Sequence, residues 1–410
     1  MGPIEYRWLH SRSRRKALAA LAGVVAASPL FRSGVSAQLD PRLLKDHKRL
    51  PGLDEMMTAF DFEPVMFANL PLSIYDYTAH GDGSEFTLRR NRQAFDWVDL
   101  LPGTPIDAAR VDLSTEILGT RMKYPIMVAP TATQVPLHPD GEMGMHRAAT
   151  EASNTPMIVS HNTSTAVDRI AGAAKGPLWW QLYPSPNLNA SKEILDSALA
   201  AGCTAVVVTV DQQASYYERS AQDRNLGGRG GGRGGRGGGP NAAAPPAAGP
   251  ARYRLQAGRL WYTWQYLDEI RRMLKVPLLV KGILTAEDAA LCVEHGVDGI
   301  IVSNHGGRSM DYGPSTLEVL PEIVAAVNRR IIVLTDSGYR RGSDILKALA
   351  LGADAVLLGR ATRWALGAFG APGVQRLLEI FQRELVEAAA AAGRPTRASI
   401  DASLVRSRFV

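Results

Sequence analysis

The chain has 410 residues, of which 46% are hydrophobic and 21% charged, so a disordered or fibrous protein is excluded and a large buried core is expected. The formal net charge is +6, but two segments of non-globular composition, residues 1–37 and Gly227 to Pro250, together carry eight arginines and only one acidic residue, so they account for the positive excess. We therefore expect no nucleic-acid partner, whereas weak contact with a membrane surface stays open.

The first 37 residues have the order of an export signal. The basic run S-R-R-K-A-L from Ser13 precedes an apolar stretch to Ala27, and Val35-Ser36-Ala37 resembles a cleavage site. The paired arginines resemble a twin-arginine signal, with Ala17 where that motif prefers phenylalanine. We expect a periplasmic protein, or a cytoplasmic one if the signal does not function. A weak anchor is the alternative, since the apolar run is shorter than the roughly 20 residues that span a bilayer.

A linker over residues 38–52 and a helical region from Leu53 to Gly81 lead into eight short apolar runs. The runs are rich in Val, Ile and Leu without strict polar alternation, as expected for parallel strands buried on both faces. Eight such units predict an α/β fold, a single (β/α)8 TIM barrel over residues 53–400, with a doubly wound open sheet as the alternative. The runs are Pro125–Ala129, Pro156–Ser160, Leu178–Tyr183, Thr204–Asp211, Pro277–Gly282, Asp298–Asn304, Arg330–Asp336 and Asp354–Gly359.

Amphipathic helical patterns separate most of these runs. They are clearest at Asp288–His295, Leu317–Val327 and Asp344–Leu351, where Gly296 and Gly352 are placed as C-terminal caps. The two cysteines, Cys203 and Cys292, have no C-x-x-C spacing, so we predict buried apolar side chains and no metal site.

The segment Gly227–Pro250 separates the fourth and fifth runs and consists almost entirely of Gly, Arg, Ala and Pro. It cannot bury enough apolar surface to offset its ordering entropy, so we predict a disordered insert on the C-terminal face of the barrel. Its composition is similar to that of RNA-binding segments, but it lacks aromatic residues, which favours a mobile loop.

Polar side chains collect where the predicted strands end. Lys281 closes the fifth run, and a lysine there is costly unless it faces a polar site or an anion. His305 and Arg308 follow the sixth run; a histidine can accept a proton near neutral pH, and an arginine fork matches a carboxylate. We expect these groups to meet at one face of the barrel. They are joined by Asp211 after the fourth run, Asp336 after the seventh, and Gln181 and Tyr183 at the end of the third.

The segments after the last two strands are predicted to hold a phosphate. Glycines in D-S-G-Y-R-R-G, which begins at Asp336, let the backbone approach an anion, and a helix N-terminus follows. Arg340 or Arg360 would add positive charge. Several cofactor and nucleotide barrels share this pattern.

Together these motifs resemble the FMN-dependent 2-hydroxy acid oxidase and dehydrogenase family, which includes glycolate oxidase, lactate oxidase, lactate monooxygenase and flavin-linked lactate and mandelate dehydrogenases. The match runs from about Leu70 to Arg360 and includes S-N-H-G-G-R from Ser303 and L-V-K-G-I-L-T-A-E-D-A from Leu279. The resemblance implies an FMN cofactor and oxidation of a small (S)-2-hydroxy acid, similar to lactate or glycolate, to the 2-oxo acid. It also implies oxygen or another electron acceptor, and a homotetramer.

The resemblance also implies a role for each matching residue. His305 would be the base that removes a proton from the substrate hydroxyl or from C2, and Asp211 would hydrogen-bond it and favour its protonated form. Lys281 would face the flavin N1 and C2 carbonyl. The other implied flavin contacts are Pro130, Thr131, Ala132, Ser160, Gln181, Thr209, Ser303, Asp336, Arg340, Gly359 and Arg360.

For the substrate, the resemblance places Arg308 and Tyr77 at the carboxylate and Tyr183 at the hydroxyl. Asn162 stands where glycolate oxidases have tryptophan, so a more polar or wider pocket is expected. The second arginine of the family has no gap-free equivalent here, and Arg219 takes its place if one inserted residue is allowed.

Ser337 stands where glycolate oxidases have glycine, and in this position the chain resembles the lactate oxidase and monooxygenase branch. The resemblance slightly favours oxygen as the electron acceptor. Two other functions stay open. An IMP dehydrogenase-like barrel shares the phosphate pattern but needs a nucleophilic cysteine after the sixth strand, where this chain has none. A non-enzymatic exported barrel would bind an anionic polymer through the Gly/Arg segment, which requires the pocket to be vestigial.

Overall fold

The computed structural model describes residues 49–103, 110–211 and 262–409. From Gly52 onward, the described residues belong to one compact unit. The export signal over residues 1–37, the insert Gly227–Pro250 and Arg219 lie outside the described residues, so these predictions stand as they were made. Of the helices within the described ranges, none is both long enough and apolar enough to cross a membrane.

Strands and helices alternate through the described chain. The strands are β1 (Val98–Leu100), β2 (Thr115–Ile117), β3 (Thr120–Met122), β4 (Ile126–Val128), β5 (Met157–Ser160), β6 (Leu178–Leu182), β7 (Val206–Thr209), β8 (Leu278–Ile283), β9 (Gly299–Val302), β10 (Ile332–Thr335), β11 (Ala355–Leu358) and β12 (Val405–Ser407). The α-helices are α1 (Phe62–Asn69), α2 (Leu72–Ala79), α3 (Phe86–Gln93), α4 (Gly141–Glu151), α5 (Val167–Gly172), α6 (Leu188–Ala200), α7 (Trp264–Met273), α8 (Ala286–Glu294), α9 (Thr316–Val327), α10 (Gly342–Ala350) and α11 (Arg360–Ala391).

The eight strands β4 to β11 form a closed parallel barrel in sequence order, and the pairing of β11 with β4 closes the ring. Each predicted apolar run coincides with one of these strands, although β8 extends one residue past its run, so the barrel is confirmed and the open sheet is excluded. Side chains from the strands fill the interior with a packed apolar core, as in other barrels of this type. The alternate side chains pack against the surrounding helices, which explains why the runs are apolar on both faces.

An antiparallel hairpin of β2 and β3 closes the N-terminal end of the barrel. Its Ile117 and Met122 are buried in the same apolar cluster as the inward-facing side chains of the strands. The indole nitrogen of Trp179, inside the barrel, donates to the Thr120 hydroxyl at 3.2 Å. The opposite, C-terminal end is therefore the open end.

The helices follow the predicted patterns closely. The N-terminal helical region begins with two 3-10 turns, Leu53–Glu55 and Ala59–Asp61, and continues as α1 and α2. Gly296 and Gly352 have positive φ angles at the ends of α8 and α10, as predicted for C-terminal caps.

The C-terminal segment extends past the boundary at residue 400 that the sequence suggested. Strand β12 pairs antiparallel with β1, which lies just before the barrel. Cys203 and Cys292 are both buried, and burial raises the pKa of each thiol to about 12, in agreement with their predicted role as apolar side chains.

We expect Ile117→Ala to lower the free energy of unfolding by about 2–5 kcal/mol, because it leaves a cavity where the hairpin packs into the barrel. Urea denaturation would measure the change. Its neighbour Glu116 is exposed and pairs with exposed Arg121, so Glu116→Ala is the control and should change stability by less than about 1 kcal/mol. Equal effects of the two substitutions would contradict the closing role of the hairpin.

Candidate functional site

A pocket opens at the C-terminal ends of the barrel strands and encloses about 970 Å³, including the space at its mouth. Segments that follow most of the strands, together with α2, contribute to its wall. The structure therefore brings together, in one cavity, residues that are up to 286 positions apart in sequence, as from Tyr77 to Arg363. The predicted residues that line it are Tyr77, Pro130, Thr131, Ala132, Ser160, Asn162, Tyr183, Lys281, His305, Arg308, Asp336, Arg340, Gly359 and Arg360.

The centre of the site is the ammonium group of Lys281, which is buried near the end of β8. It lies 3.4 Å from Asp336 Oδ2 and 3.7 Å from Asp211 Oδ2, and it donates to the Ser303 hydroxyl at 2.8 Å. Burial alone would lower the pKa of Lys281, but the two carboxylates outweigh it, so the pKa is raised and the lysine is a cation.

Lys281 does not end its strand as predicted, because β8 continues to Ile283 across an irregularity in its pairing with β9. Gly282 at this irregularity has φ +111°, and a Cβ atom there would lie 2.4 Å from the Cβ of Asp211. Only glycine therefore allows the Asp211 segment to approach Lys281 this closely.

His305 stands beside this charge cluster. Its Nδ1 is 2.8 Å from Asp211 Oδ1, and 18% of its side-chain surface is exposed. Since the carboxylate accepts the Nδ1 proton, Nε2 is the nitrogen left to accept a proton from a molecule in the pocket. Burial lowers the pKa of His305, the attraction of Asp211 opposes that shift, and the Lys281 and Arg308 cations add to it; the net direction is down.

Asp211 itself contacts both Lys281 and His305. Burial would raise the pKa of its carboxyl, but His305 and Lys281 outweigh burial and lower it. Asp211 does not line the pocket itself, but its carboxylate holds His305, which does. Gln181, Thr209 and Ser303 also lie behind the lining.

His305 sits on a left-handed turn. His305, Gly306 and Gly307 have φ angles of +57°, +70° and +77°. Gly307 must be glycine, since a Cβ atom there would lie 2.6 Å from the backbone of Leu88. The backbone amide of His305 donates to Ser303 Oγ, and that of Gly307 donates to Asn304 Oδ1, both at 3.0 Å.

Arg308 reaches back to the N-terminal helices. Its guanidinium donates to the Tyr77 carbonyl at 2.6 Å and lies 5.0 Å from the centre of the Tyr77 ring. The structure thus places the two predicted carboxylate-binding residues side by side at the pocket wall.

A second positive region is formed by Arg340 and Arg360. Burial, and then the neighbouring Arg92, lowers the pKa of Arg340 to about 10; burial, and then Arg340, lowers that of Arg360 to about 9. Within the described ranges, neither guanidinium has a carboxylate in ion-pair distance. Their side-chain hydrogen bonds go to backbone carbonyls, as from Arg360 to Thr78 at 2.7 Å. Arg340 is buried and Arg360 is partly buried, and two such cations with no counter-charge among the described residues predict a bound anion.

Two buried polar atoms behind the pocket point to a further polar ligand. Among the described residues, Gln181 Nε2 and Thr209 Oγ1 are buried side-chain atoms with no hydrogen-bond partner. The other end of the Gln181 amide is occupied, since Oε1 accepts from the Ser160 hydroxyl at 3.1 Å. Buried polar groups nearly always form hydrogen bonds, so these two atoms indicate a bound ligand with polar groups.

The segments that follow β4 and β5 are held together by a buried carboxylate that the sequence did not reveal. Glu142 on α4 accepts from the backbone amide of Gln134 at 3.0 Å and from that of Ser164 at 2.8 Å. Burial would raise the pKa of Glu142, but these and further hydrogen bonds outweigh it and lower the pKa. Glu142 thereby fixes the segments that carry Pro130 to Ala132 and Asn162.

His161, next to Asn162, is not in the pocket lining. Its Nδ1 accepts from the backbone amide of Tyr183 at 3.2 Å, so His161 acts as a hydrogen-bonding residue of the loop. Asn162 and Tyr183 line the pocket as predicted.

Sequence reasoning missed Thr78 and Arg363, which also line the pocket. Arg363 donates to the Thr78 hydroxyl at 3.0 Å and to the carbonyl of Ala132, so it joins α2 to the segment after β4. The spacing R-A-T-R from Arg360 places both arginines on one side of α11, and that signal could have revealed Arg363.

Comparison with known proteins assigns this pocket to a flavin-dependent class of oxidoreductase. Residues 67–407 match the family described as FMN-dependent dehydrogenase. The chain is 37% identical to the peroxisomal (S)-2-hydroxyacid oxidase GLO3 of Arabidopsis thaliana, over 87% of this chain and 98% of that protein. It is 35% identical to L-lactate oxidase of a Nostoc species, over 87% and 100%. A solved structure of mandelate oxidase with (S)-2-phenylpropionate is similar, with a TM-score of 0.74, 35% identity, and 86% and 99% coverage.

The chain belongs to the FMN-dependent dehydrogenase family, among its 2-hydroxy acid oxidases and dehydrogenases. It is therefore an enzyme that acts on CH–OH groups with FMN as cofactor. The predicted alternatives, an IMP dehydrogenase-like barrel and a non-enzymatic anion-binding barrel, are wrong. The site fits FMN, because the arginine pair offers a place for its phosphate and the unsatisfied Gln181 and Thr209 atoms offer partners for a polar ring or ribityl group.

We expect Arg340→Gln to weaken FMN binding about tenfold to a hundredfold, because a hydrogen bond to a charged group contributes about 1.5–3 kcal/mol. Titration of the apoprotein with FMN, followed by flavin fluorescence, would measure the dissociation constant. Arg341→Gln is the matched control, since the adjacent Arg341 pairs with Glu384 outside the pocket at 2.9 Å. Unchanged FMN affinity in Arg340→Gln would remove Arg340 from the anion site.

Proposed function

We propose that the protein oxidises a small (S)-2-hydroxy acid, similar to lactate or glycolate, to the 2-oxo acid, with His305 as the base. The observation that carries this proposal is the His305–Asp211 pair, with Nδ1 held at 2.8 Å and the ring at the pocket wall. A base held in one orientation and one tautomer suits proton removal from a bound hydroxy acid.

The substrate carboxylate binds Arg308 and Tyr77 in this proposal. Arg308 is at the pocket wall only three residues after His305, so an acid held by its guanidinium brings C2 and the hydroxyl group towards the imidazole. Tyr183 lines the same pocket and supplies a phenol for the hydroxyl oxygen. Arg219 is proposed as a second carboxylate partner from the sequence alone, because it lies outside the described residues.

The other residues prepare the site for charge. When bound, FMN accepts two electrons from the substrate and passes them to oxygen or another acceptor. Lys281 presents a fixed cation where negative charge develops, and Asp211 stabilises the imidazolium that forms when His305 takes the proton. Arg340 and Arg360 hold the phosphate. Asn162, in place of a large aromatic side chain, leaves the substrate side of the pocket polar.

We expect His305→Gln to bind FMN normally and to lose anaerobic flavin reduction by a 2-hydroxy acid by about 10²- to 10⁴-fold, the range for a general base. Stopped-flow absorbance would measure the rate. His295→Gln is the matched control, because His295 forms an equally short pair with Asp268, at 2.7 Å, on the outer helices. Rapid reduction in His305→Gln would show that another group removes the proton.

The pH dependence follows from the lowered pKa of His305. Below this pKa the imidazole already holds a proton and cannot accept another, so kcat/KM should fall as the pH decreases. We expect the fall to lie at a pH below the ordinary histidine value of about 6.5, and Asp211→Asn to move it lower still by removing the carboxylate that attracts the proton. A midpoint above the ordinary value would contradict the proposed environment of His305.

A further inference from the structure

Ser337 is a strained residue at the pocket wall. It follows β10, has φ +78°, and is not a glycine, although this left-handed region is unfavourable for residues with a Cβ atom. Residues held in such conformations persist where surrounding contacts fix them, and they are concentrated at functional sites. The contacts that hold Ser337 in this conformation therefore indicate its role.

The Ser337 hydroxyl joins two parts of the site. It donates to Asp336 Oδ1 at 2.7 Å, and it accepts from the backbone amide of Gly306 at 3.0 Å. The other oxygen of Asp336, Oδ2, is the one that lies 3.4 Å from Lys281. One hydroxyl thus contacts both the carboxylate that compensates Lys281 and the backbone directly after His305.

The left-handed turn is held by bonds within its own segment and by bonds from outside it. Ser303 and Asn304, which accept from His305 and Gly307, belong to the same segment as the turn. From outside, the Asp82 amide donates to the Gly307 carbonyl at 2.8 Å, and the Arg360 guanidinium donates to the Gly306 carbonyl at 3.2 Å. The bond from the Gly306 amide to Ser337 links the turn to the segment that follows β10, the neighbouring barrel strand. Without the Ser337 hydroxyl, the Gly306 amide loses its acceptor and the turn loses one of its external constraints.

We propose that Ser337 is a positioning residue of the active site, whose hydroxyl fixes the orientation of His305 through Gly306 and shares the charge of Asp336 with Lys281. This inference rests on the proposed role of His305. It has two consequences that strain alone does not have. First, loss of the hydroxyl misaligns the base. Second, Asp336 loses a hydrogen-bond donor, so more of its negative charge acts on Lys281. The Lys281 cation then stabilises added negative charge on the flavin less well.

The test compares Ser337→Gly with Ser337→Ala in the FMN-loaded enzyme. Both variants lack the hydroxyl, but glycine relieves the left-handed strain and alanine keeps it, so the melting temperature should rise or hold in the first and fall in the second. We expect both variants to slow the limiting rate of anaerobic flavin reduction about tenfold. Both should also shift the two-electron reduction potential of the flavin to a more negative value, while the affinity for pyruvate, held by the untouched Arg308 and Tyr77, stays within about twofold.

Asn328→Gly is the control for strain, since Asn328 has φ +48° at the end of α9 and does not line the pocket. Wild-type reduction rate and potential in both Ser337 variants would overturn the proposal, and so would a rate loss in Ser337→Ala only. If the alanine variant does not fold, the glycine variant alone decides. His305→Gln in the same assay separates the two hypotheses, because normal flavin reduction there refutes the proposed base rather than Ser337.

Discussion

The ammonium group of Lys281, buried at the open end of the barrel, is the constraint on which the rest of the site depends. A buried cation needs a compensating negative charge, and for Lys281 the carboxylates of Asp211 and Asp336 supply it from the segments after β7 and β10. Each has a second partner, since Asp211 binds His305 and Asp336 accepts from Ser337. The charge balance of Lys281 therefore also sets the tautomer of His305 and the position of its turn.

The same balance explains the division of the pocket into two kinds of surface. In the first region, carboxylates of the protein compensate the Lys281 cation, so a ligand binds next to a preformed network of ion pairs and hydrogen bonds. Around Arg340 and Arg360 the described residues supply carbonyls but no ion pair, and both pKa values are lowered by burial and by neighbouring cations. In the proposed function, a phosphate completes that second region, and Arg308, beside His305, binds the carboxylate of the substrate.

The sequence allowed the barrel and the centre of the site to be predicted because both leave local signals. A buried parallel strand must be apolar on both faces, and a lysine or histidine at its end needs a reason to be there. The hairpin β2–β3 and the pairing of β1 with β12 leave almost none, since each strand has only three residues. Glu142 and Ser337 depend on contacts with residues 22 and 31 positions away, which no local pattern shows.

The most direct test of the proposed chemistry is anaerobic mixing of the FMN-loaded protein with glycolate and with the separate enantiomers of lactate and mandelate, followed by the visible absorbance of the flavin. Bleaching by glycolate and by at least one (S)-acid, with no bleaching by the (R)-acids, is the predicted result. A flavin that stays oxidised with every acid, or that is reduced equally by both enantiomers, would contradict an active site in which Arg308 binds the carboxylate and His305 removes a proton from one enantiomer.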